Sequence, residues 1–218
     1  MIWKRTRQSH QDKQDATQRQ LKQADLDMLE LAAAAGEINL KYLDESGFCL
    51  WSSVSYSYIR RGERKRLEQT QRRGRRLSIL GLWEPGISFE YGLAVGSFTS
   101  TSYIRLLDWE AKKAAEKLEK TSRFTVVVQD NGSLHTSQVV KAKRLEWEQL
   151  GLYLFFLPKY CSEMNRIENE WQQLKSNELG GRMFEDEYDL AIAVIDGVEE
   201  RGQRGGYATE RFKFNSVT

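Results

Sequence analysis

The sequence predicts an α/β fold in which a mixed five-stranded sheet is flanked by helices and preceded by an N-terminal helical arm. Three observations carry this expectation. Residues 1–35 are rich in Gln, Lys, Asp and Ala and contain neither Gly nor Pro, which is the texture of a helix. From Glu37 the chain turns to short, β-prone apolar runs bounded by Gly, Pro, Asn or Asp. The later runs alternate with helix-period segments, and a hairpin-rich start followed by βα units implies a mixed sheet covered by helices.

Taken in order, the arm (1–35) places Leu21, Leu29 and Leu31 among polar neighbours and has little core of its own. Residues 36–218 read as one domain, because a chain of 218 residues that is 40% hydrophobic can fill one sizeable core. Strands are expected at Ile38–Leu43, Leu77–Trp83 and Ile87–Val95, then at Phe124–Val128 and Leu152–Leu157. Helical patterns cover Ser102–Lys120, Ser137–Leu150, Asn165–Ser176 and Glu185–Glu200. Trp109, Trp147 and Trp171 fall within these patterns and read as core residues. The last helix carries Leu190, Ala191, Val194, Ile195 and Val198 on one stripe and reads as a packed outer helix, not a source of ligands.

Composition narrows the function classes. The longest strongly apolar run, Leu152–Leu157, is too short to span a bilayer, and the polar N-terminus has no signal core, so neither a membrane partner nor secretion is expected. Cys49 and Cys161 match no disulfide framework or zinc spacing, and a reducing cytoplasm is the expected setting. The net charge of +2 is unevenly spread. Between Arg60 and Arg76 nine Lys/Arg face two acids, while residues 159–200 carry four basic and eleven acidic residues. The first segment suits a polyanion and the second supplies carboxylates.

Two acids follow apolar β-formers: Asp44 in Leu-Lys-Tyr-Leu-Asp-Glu-Ser-Gly and Asp130 in Phe-Thr-Val-Val-Val-Gln-Asp-Asn-Gly. Each is delivered to the C-terminal end of a strand, where open α/β sheets place their sites, and if the strands are neighbours the acids face each other. Ile167, Trp171 and Leu174, spaced i, i+4, i+7, would seat a third helix on the same edge. Glu168 and Glu170 flank that stripe equally, so helical geometry leaves the third acid open between them. Clustered carboxylates repel unless cations neutralise them. Mg²⁺ or Mn²⁺ does so, and a pair of ions roughly 3.5–4 Å apart stabilises both oxygens of an in-line phosphoryl displacement. A lone Asp after a strand is otherwise an ordinary turn former or helix cap.

Together, Leu-Asp-Glu-Ser-Gly-Phe (43–48), Gln-Asp-Asn-Gly-Ser-Leu-His (129–135) and the segment Phe-Leu-Pro-Lys-Tyr-Cys-Ser-Glu-Met-Asn-Arg-Ile-Glu-Asn-Glu-Trp-Gln-Gln-Leu-Lys (156–175) resemble the transposases of the insertion-sequence 630 and mariner group. The resemblance covers residues 36–218 and implies a ribonuclease H-like fold with a catalytic Asp-Asp-Glu triad. Carried over residue by residue, it assigns Asp44, Asp130 and, as the Glu after Asn-x-Ile, Glu168 as catalytic and metal-binding residues. The 37 residues between Asp130 and Glu168 exceed the spacing of mariner relatives. The family's Ser-Pro-x-Leu-Asn-Pro-Ile-Glu stands here as residues 161–168 without either proline. The chain begins in what resembles the linker after the family's helix-turn-helix modules, which makes an upstream-encoded helix-turn-helix half an expected partner. The resemblance also implies two metal ions, DNA ends and target DNA as partners, insertion at the dinucleotide TA and a homodimer.

Around the triad, Glu45, Asn131 and His135 are positioned to orient a ligand carboxylate or touch the scissile phosphate, the alternative for His135 being a surface loop histidine. Asn165 reads equally as a helix N-cap or a site residue. DNA phosphates are the expected partners of Arg60, Arg61, Arg64, Lys65, Arg66, Arg72, Arg73, Arg75 and Arg76, with Trp51, Tyr56 and Tyr58 near enough to stack on exposed bases. The alternative readings are an inactive remnant or regulator that binds DNA or an intact transposase, and a nuclease acting on RNA–DNA hybrids.

Overall fold

In the computed structural model, the structure describes residues 11–51, 60–62, 74–132, 135 and 137–214. The element order is α1 (Ala16–Ala34), β1 (Ile38–Phe48), β2 (Leu77–Glu84), β3 (Ser88–Val95), α2 (Ser100–Thr121), β4 (Phe124–Gln129), α3 (Gln138–Gln149), β5 (Leu152–Phe156), α4 (Ile167–Gln173), α5 (Glu187–Gly205) and β6 (Ala208–Phe212). The strands form one mixed sheet in the order β5-β4-β1-β2-β3-β6, where β5, β4 and β1 run parallel and β1, β2 and β3 antiparallel. The expected five strands are therefore six. Strand β6 escapes a sequence reading because its Ala-Thr-Glu-Arg-Phe lies at the sheet edge, largely exposed, without the apolar run that marks a buried strand.

Period-two alternation in the strands divides the core between two faces. On one face Leu40, Tyr42, Ile79 and Val128 pack against Leu26 of α1, Ile167 and Trp171 of α4, and Leu190, Val194 and Val198 of α5. On the other, Leu43, Leu80, Leu82 and Val127 meet Tyr103, Leu106 and Leu107 of α2 and Trp147 of α3. Trp147 and Trp171 are core residues as expected, while Trp109 is half-buried with the Lys113 ammonium 4.3 Å from its ring centre. The arm is docked onto the sheet: Leu26 is buried, Tyr42 donates its hydroxyl to Glu30, and Leu21 and Leu31 remain exposed. Its start is set by Asp15, whose carboxylate caps the backbone N–H groups of Thr17 and Gln18. No helix among the described residues is long and apolar enough to cross a membrane.

Strand β1 extends beyond the expected Leu43. It leaves β4 after Tyr42 but continues to pair with β2 as far as Phe48, so Asp44 lies within the strand and not at its end. The parallel pairing of Tyr42 with Val128 nevertheless places Asp44 level with Asp130, just past the end of β4.

Candidate active site

Asp44 and Asp130 arise from adjacent parallel strands, and both project to the face covered by α4, since each lies two residues beyond a residue of that face, Tyr42 and Val128. Helix α4 is seated there by Ile167, Trp171 and Leu174, all buried. The Trp171 indole Nε1–H donates to Asp44 Oδ2 at 3.0 Å, tying the helix to the first acid. Room for the indole comes from Gly81, the β2 partner of Asp44, where a Cβ would stand 2.5 Å from the ring. Just before α4, Asn165 donates its Nδ2–H to the Leu43 carbonyl at 3.0 Å, so it ties α4 to β1 and caps no helix. The buried Cys161 and Met164 bracket a single 3₁₀ turn over Ser162–Met164 in this proline-free approach.

The two acids that flank the α4 stripe go different ways. Glu170 accepts from Arg201 Nη2 at 2.5 Å and Nε at 2.9 Å, and from the Tyr207 hydroxyl at 3.1 Å, so it faces α5. Glu168 lines an open cleft of about 530 Å³ with Trp171 and Lys175, and its charge acts on Asp44. The choice that helical period leaves open is thus made by partners more than 30 residues downstream.

Electrostatics separate the three acids. Burial, reinforced by the charges of Glu168 and Asp130, pushes the Asp44 carboxyl up to about 7. Glu168 is raised by burial and by Asp130, against the pull of the Lys175 ammonium. Asp130 is held below the usual range by the His135 ring, whose Nδ1 lies 2.7 Å from Oδ1, with help from the Gly132 backbone N–H at 3.0 Å. His135 is only 5% exposed and packs on Tyr103 with ring centres 4.8 Å apart, so it is no surface histidine. Lys175 is itself lowered by burial.

The donors gathered here are carboxylate oxygens, the set suited to Mg²⁺ or Mn²⁺, and a divalent cation would offset both the burial and the neighbouring negative charge that raise Asp44 and Glu168. Among the described residues, no three His, Cys, Asp or Glu side chains already stand at coordinating separation.

The other expected site residues are dispersed. Glu45 projects to the face opposite Asp44 by strand alternation and accepts from Arg76 Nη2 at 3.1 Å. Asn131 donates to the Leu157 carbonyl at 2.5 Å and joins the ends of β4 and β5. Arg60 and Arg61 are exposed, and Arg75 approaches Glu187 at 3.9 Å. Arg64, Lys65, Arg66, Arg72, Arg73, Tyr56 and Tyr58 lie outside the described residues. Sequence reasoning missed Trp171 as a polar partner of Asp44 and Gly81 as its spacer. A glycine inside the otherwise apolar run Leu77–Trp83 was the available signal, since such a glycine often marks a close approach.

A family model described as DDE superfamily endonuclease matches residues 39–191, and no curated protein matches the sequence. Among solved structures, the fold is similar to that in the crystal structure of the Mos1 mariner paired end complex with Mn, with a TM-score of 0.64 at 14% identity over 94% of this chain and 65% of that one. The Mos1 transposase paired-end complex with left transposon end gives 0.61 at 13% identity, over 94% of this chain and 65% of that one. The crystal structure of the catalytic domain of Mos1 mariner transposase gives 0.54 at 12% identity, over 94% of this chain and 95% of that one. This chain therefore spans 65% of the paired-end chains and nearly the whole of the catalytic domain. At such identities the likeness is one of fold, and the fold is the ribonuclease H-like one.

Proposed function

The chain belongs to the DDE superfamily endonuclease family, and from that premise we propose that it is the catalytic domain of a DNA transposase, performing phosphodiester hydrolysis and strand transfer to move an insertion sequence. The single observation that supports this most is that Asp44 and Asp130 stand level on adjacent parallel strands while Glu168, on the helix that Trp171 ties to Asp44, is near enough for its charge to act on Asp44 and to feel that of Asp130. Asp44, Asp130 and Glu168 would hold two Mg²⁺ or Mn²⁺ ions. When bound, these supply Lewis-acid stabilisation of the charge that develops on phosphate oxygens.

The chain's own groups prepare that site. Trp171 fixes Oδ2 of Asp44 and so orients its carboxylate. His135 and the Gly132 N–H keep Asp130 ionised and oriented, so that it presents a full negative charge near neutrality. Lys175, at the cleft beside Glu168, is placed to meet a phosphate oxygen of the DNA backbone. The cleft is open enough for a strand, and the attacking water, later a freed 3′-hydroxyl, would be oriented against the scissile phosphate by the acids. A homodimer acting on two DNA ends, insertion at TA, a helix-turn-helix half encoded upstream, phosphate contacts from Arg60–Arg76 and action at the nucleoid belong to the same proposal and rest on the resemblance and the charge pattern.

Nicking of supercoiled plasmid by the purified chain with Mn²⁺ tests this, because it needs no end-specific binding. The expected result is nicking that disappears in Asp130→Asn and in metal-free buffer. A folded chain that binds plasmid and leaves it intact would overturn the catalytic reading in favour of a regulator.

A further inference from the structure

Helix α4 has one face that the proposed chemistry does not use. Asn169 and Gln172, three residues apart, share one face of α4, with Asn165 in extended backbone before the helix and Ser176 in the π-helical turn after it. All four line the 530 Å³ cleft that also holds Glu168 and Lys175. The stripe is amide and hydroxyl throughout, and the charged residues stand beside it. Asn169, Gln172 and Ser176 are exposed, and among the described residues their side chains have no hydrogen-bond partner. Gln173 and Asn177, on another face of the same helix, are by contrast bonded to each other at 2.6 Å. Asn165 is 3% exposed, spends its Nδ2–H on Leu43 and leaves its buried Oδ1 without a donor in the wall of this cleft. Glu163, at the cleft's end, is already engaged by Gln14 at 3.0 Å and Arg19 at 3.4 Å.

We propose that this stripe reads base edges of the DNA beside the scissile phosphate, with Asn169 and Gln172 as specificity-determining residues for adenine. The proposal rests on the reading of the chain as a DNA-cutting domain. Among the described residues, Lys175 is the one basic residue in the lining of this cleft, so the charge that dominates phosphate binding is sparse beside the stripe. An uncommitted carboxamide instead offers a donor and an acceptor side by side, the pair that matches N6 and N7 of adenine in the major groove, which is wide enough to admit a helix. Asn169 follows Glu168 directly and Gln172 stands about one turn further along α4, so bases read here would lie within a few steps of the bond that is cut.

Selection of bound sequences from a pool of randomised duplexes, in Ca²⁺ and at fixed salt, tests this without requiring cleavage. The wild-type chain is expected to enrich adenine at one or two positions by roughly 5- to 100-fold, the discrimination that a bidentate amide–adenine pair gives. Asn169→Ala and Gln172→Ala should each flatten one of those positions, Gln173→Ala should retain the pattern, and Lys175→Ala should weaken all sequences alike and lower the salt slope. Both alanine sites are exposed, so unchanged melting curves for the two variants are expected alongside. A wild-type chain that enriches no base, or variants that keep the full pattern, overturns the proposal. Enrichment without plasmid nicking would instead sink the catalytic reading and leave the base reading standing.

Discussion

At the scale of single residues, Asp44 stores the site's electrostatic tension. Its carboxyl is raised from 3.8 to about 7 by burial first and by Glu168 and Asp130 after it. A folded-state value above the unfolded one means that the group favours folding most below about pH 4, and that this advantage is lost as pH rises through 7. In EDTA, Asp44→Asn is therefore expected to melt at a higher urea concentration than wild type at pH 8, by on the order of 1–3 kcal/mol, with the gap closing at pH 4. Urea midpoints at the two pH values check this, and a variant less stable at pH 8 would refute it. The same variant should not nick. Asp44 and Asp130 were legible in the sequence because an acid after an apolar β-run is a local pattern. Glu168 as the third acid rests on resemblance, and what the structure adds is that Glu170 is engaged by Arg201, a contact that no local spacing encodes.

Elements are held by the same long-range partners. Helix α4 has seven residues and no side-chain cap, and a helix so short does not persist on its own. It runs into a π-helical turn over Leu174–Glu178, a widening often found at functional sites, which carries Lys175 to the cleft. Arg201 of α5 grips both segments, Glu170 at 2.5 Å and the almost fully buried Glu178 at 3.5 Å, and Arg204 adds a second contact to Glu178 at 2.6 Å. Arg201→Ala leaves Glu170 with the Tyr207 hydroxyl alone, and is expected to cost about 2–4 kcal/mol, since breaking one side of a largely buried ion pair strands the other. If Glu168 acts as proposed, the nicking rate should fall about 10- to 100-fold even under conditions where the variant is fully folded, since α4 carries it and a displacement of about an ångström is enough for such a loss. Circular dichroism and nicking at one temperature separate the two effects. The existence and order of the strands and helices were readable from period and punctuation, whereas β6 and the reach of β1 past Asp44 depend on which neighbour pairs with them, information carried by the sheet and not by the segment.

Across the whole molecule, one buried charge cluster joins the strand of Asp44 to the far side of the sheet. Lys41, three residues before Asp44 and fully buried, sits 3.1 Å from Glu90 of β3 and 2.7 Å from Glu110 of α2, while Lys113 reaches Glu90 at 2.8 Å from the cluster's rim. Lys41 and Lys113 hold Glu90 below the usual carboxylate range, but burial outweighs Lys41 at Glu110 and leaves that carboxyl raised. Lys41→Met removes the only cation in contact with Glu110 among the described residues, and is expected to destabilise the chain by about 3–5 kcal/mol near neutral pH, as when one partner of a buried pair is removed. Without Lys41, the Glu110 carboxyl is expected to rise further, since the largest opposing influence on its burial is removed. A raised folded value favours folding below the unfolded carboxylate range and disfavours it as pH climbs, so the loss relative to wild type should shrink at pH 4.5 and be largest at pH 8. Adding Glu110→Leu removes the stranded acid and should recover a substantial part of the loss, which a merely steric effect of the methionine would not allow. Urea unfolding of wild type, the single variant and the double variant at both pH values decides it. A loss independent of pH, or a double variant no better than the single, would mean that Lys41 acts by packing and that β1 is anchored beneath Asp44 by shape instead of charge.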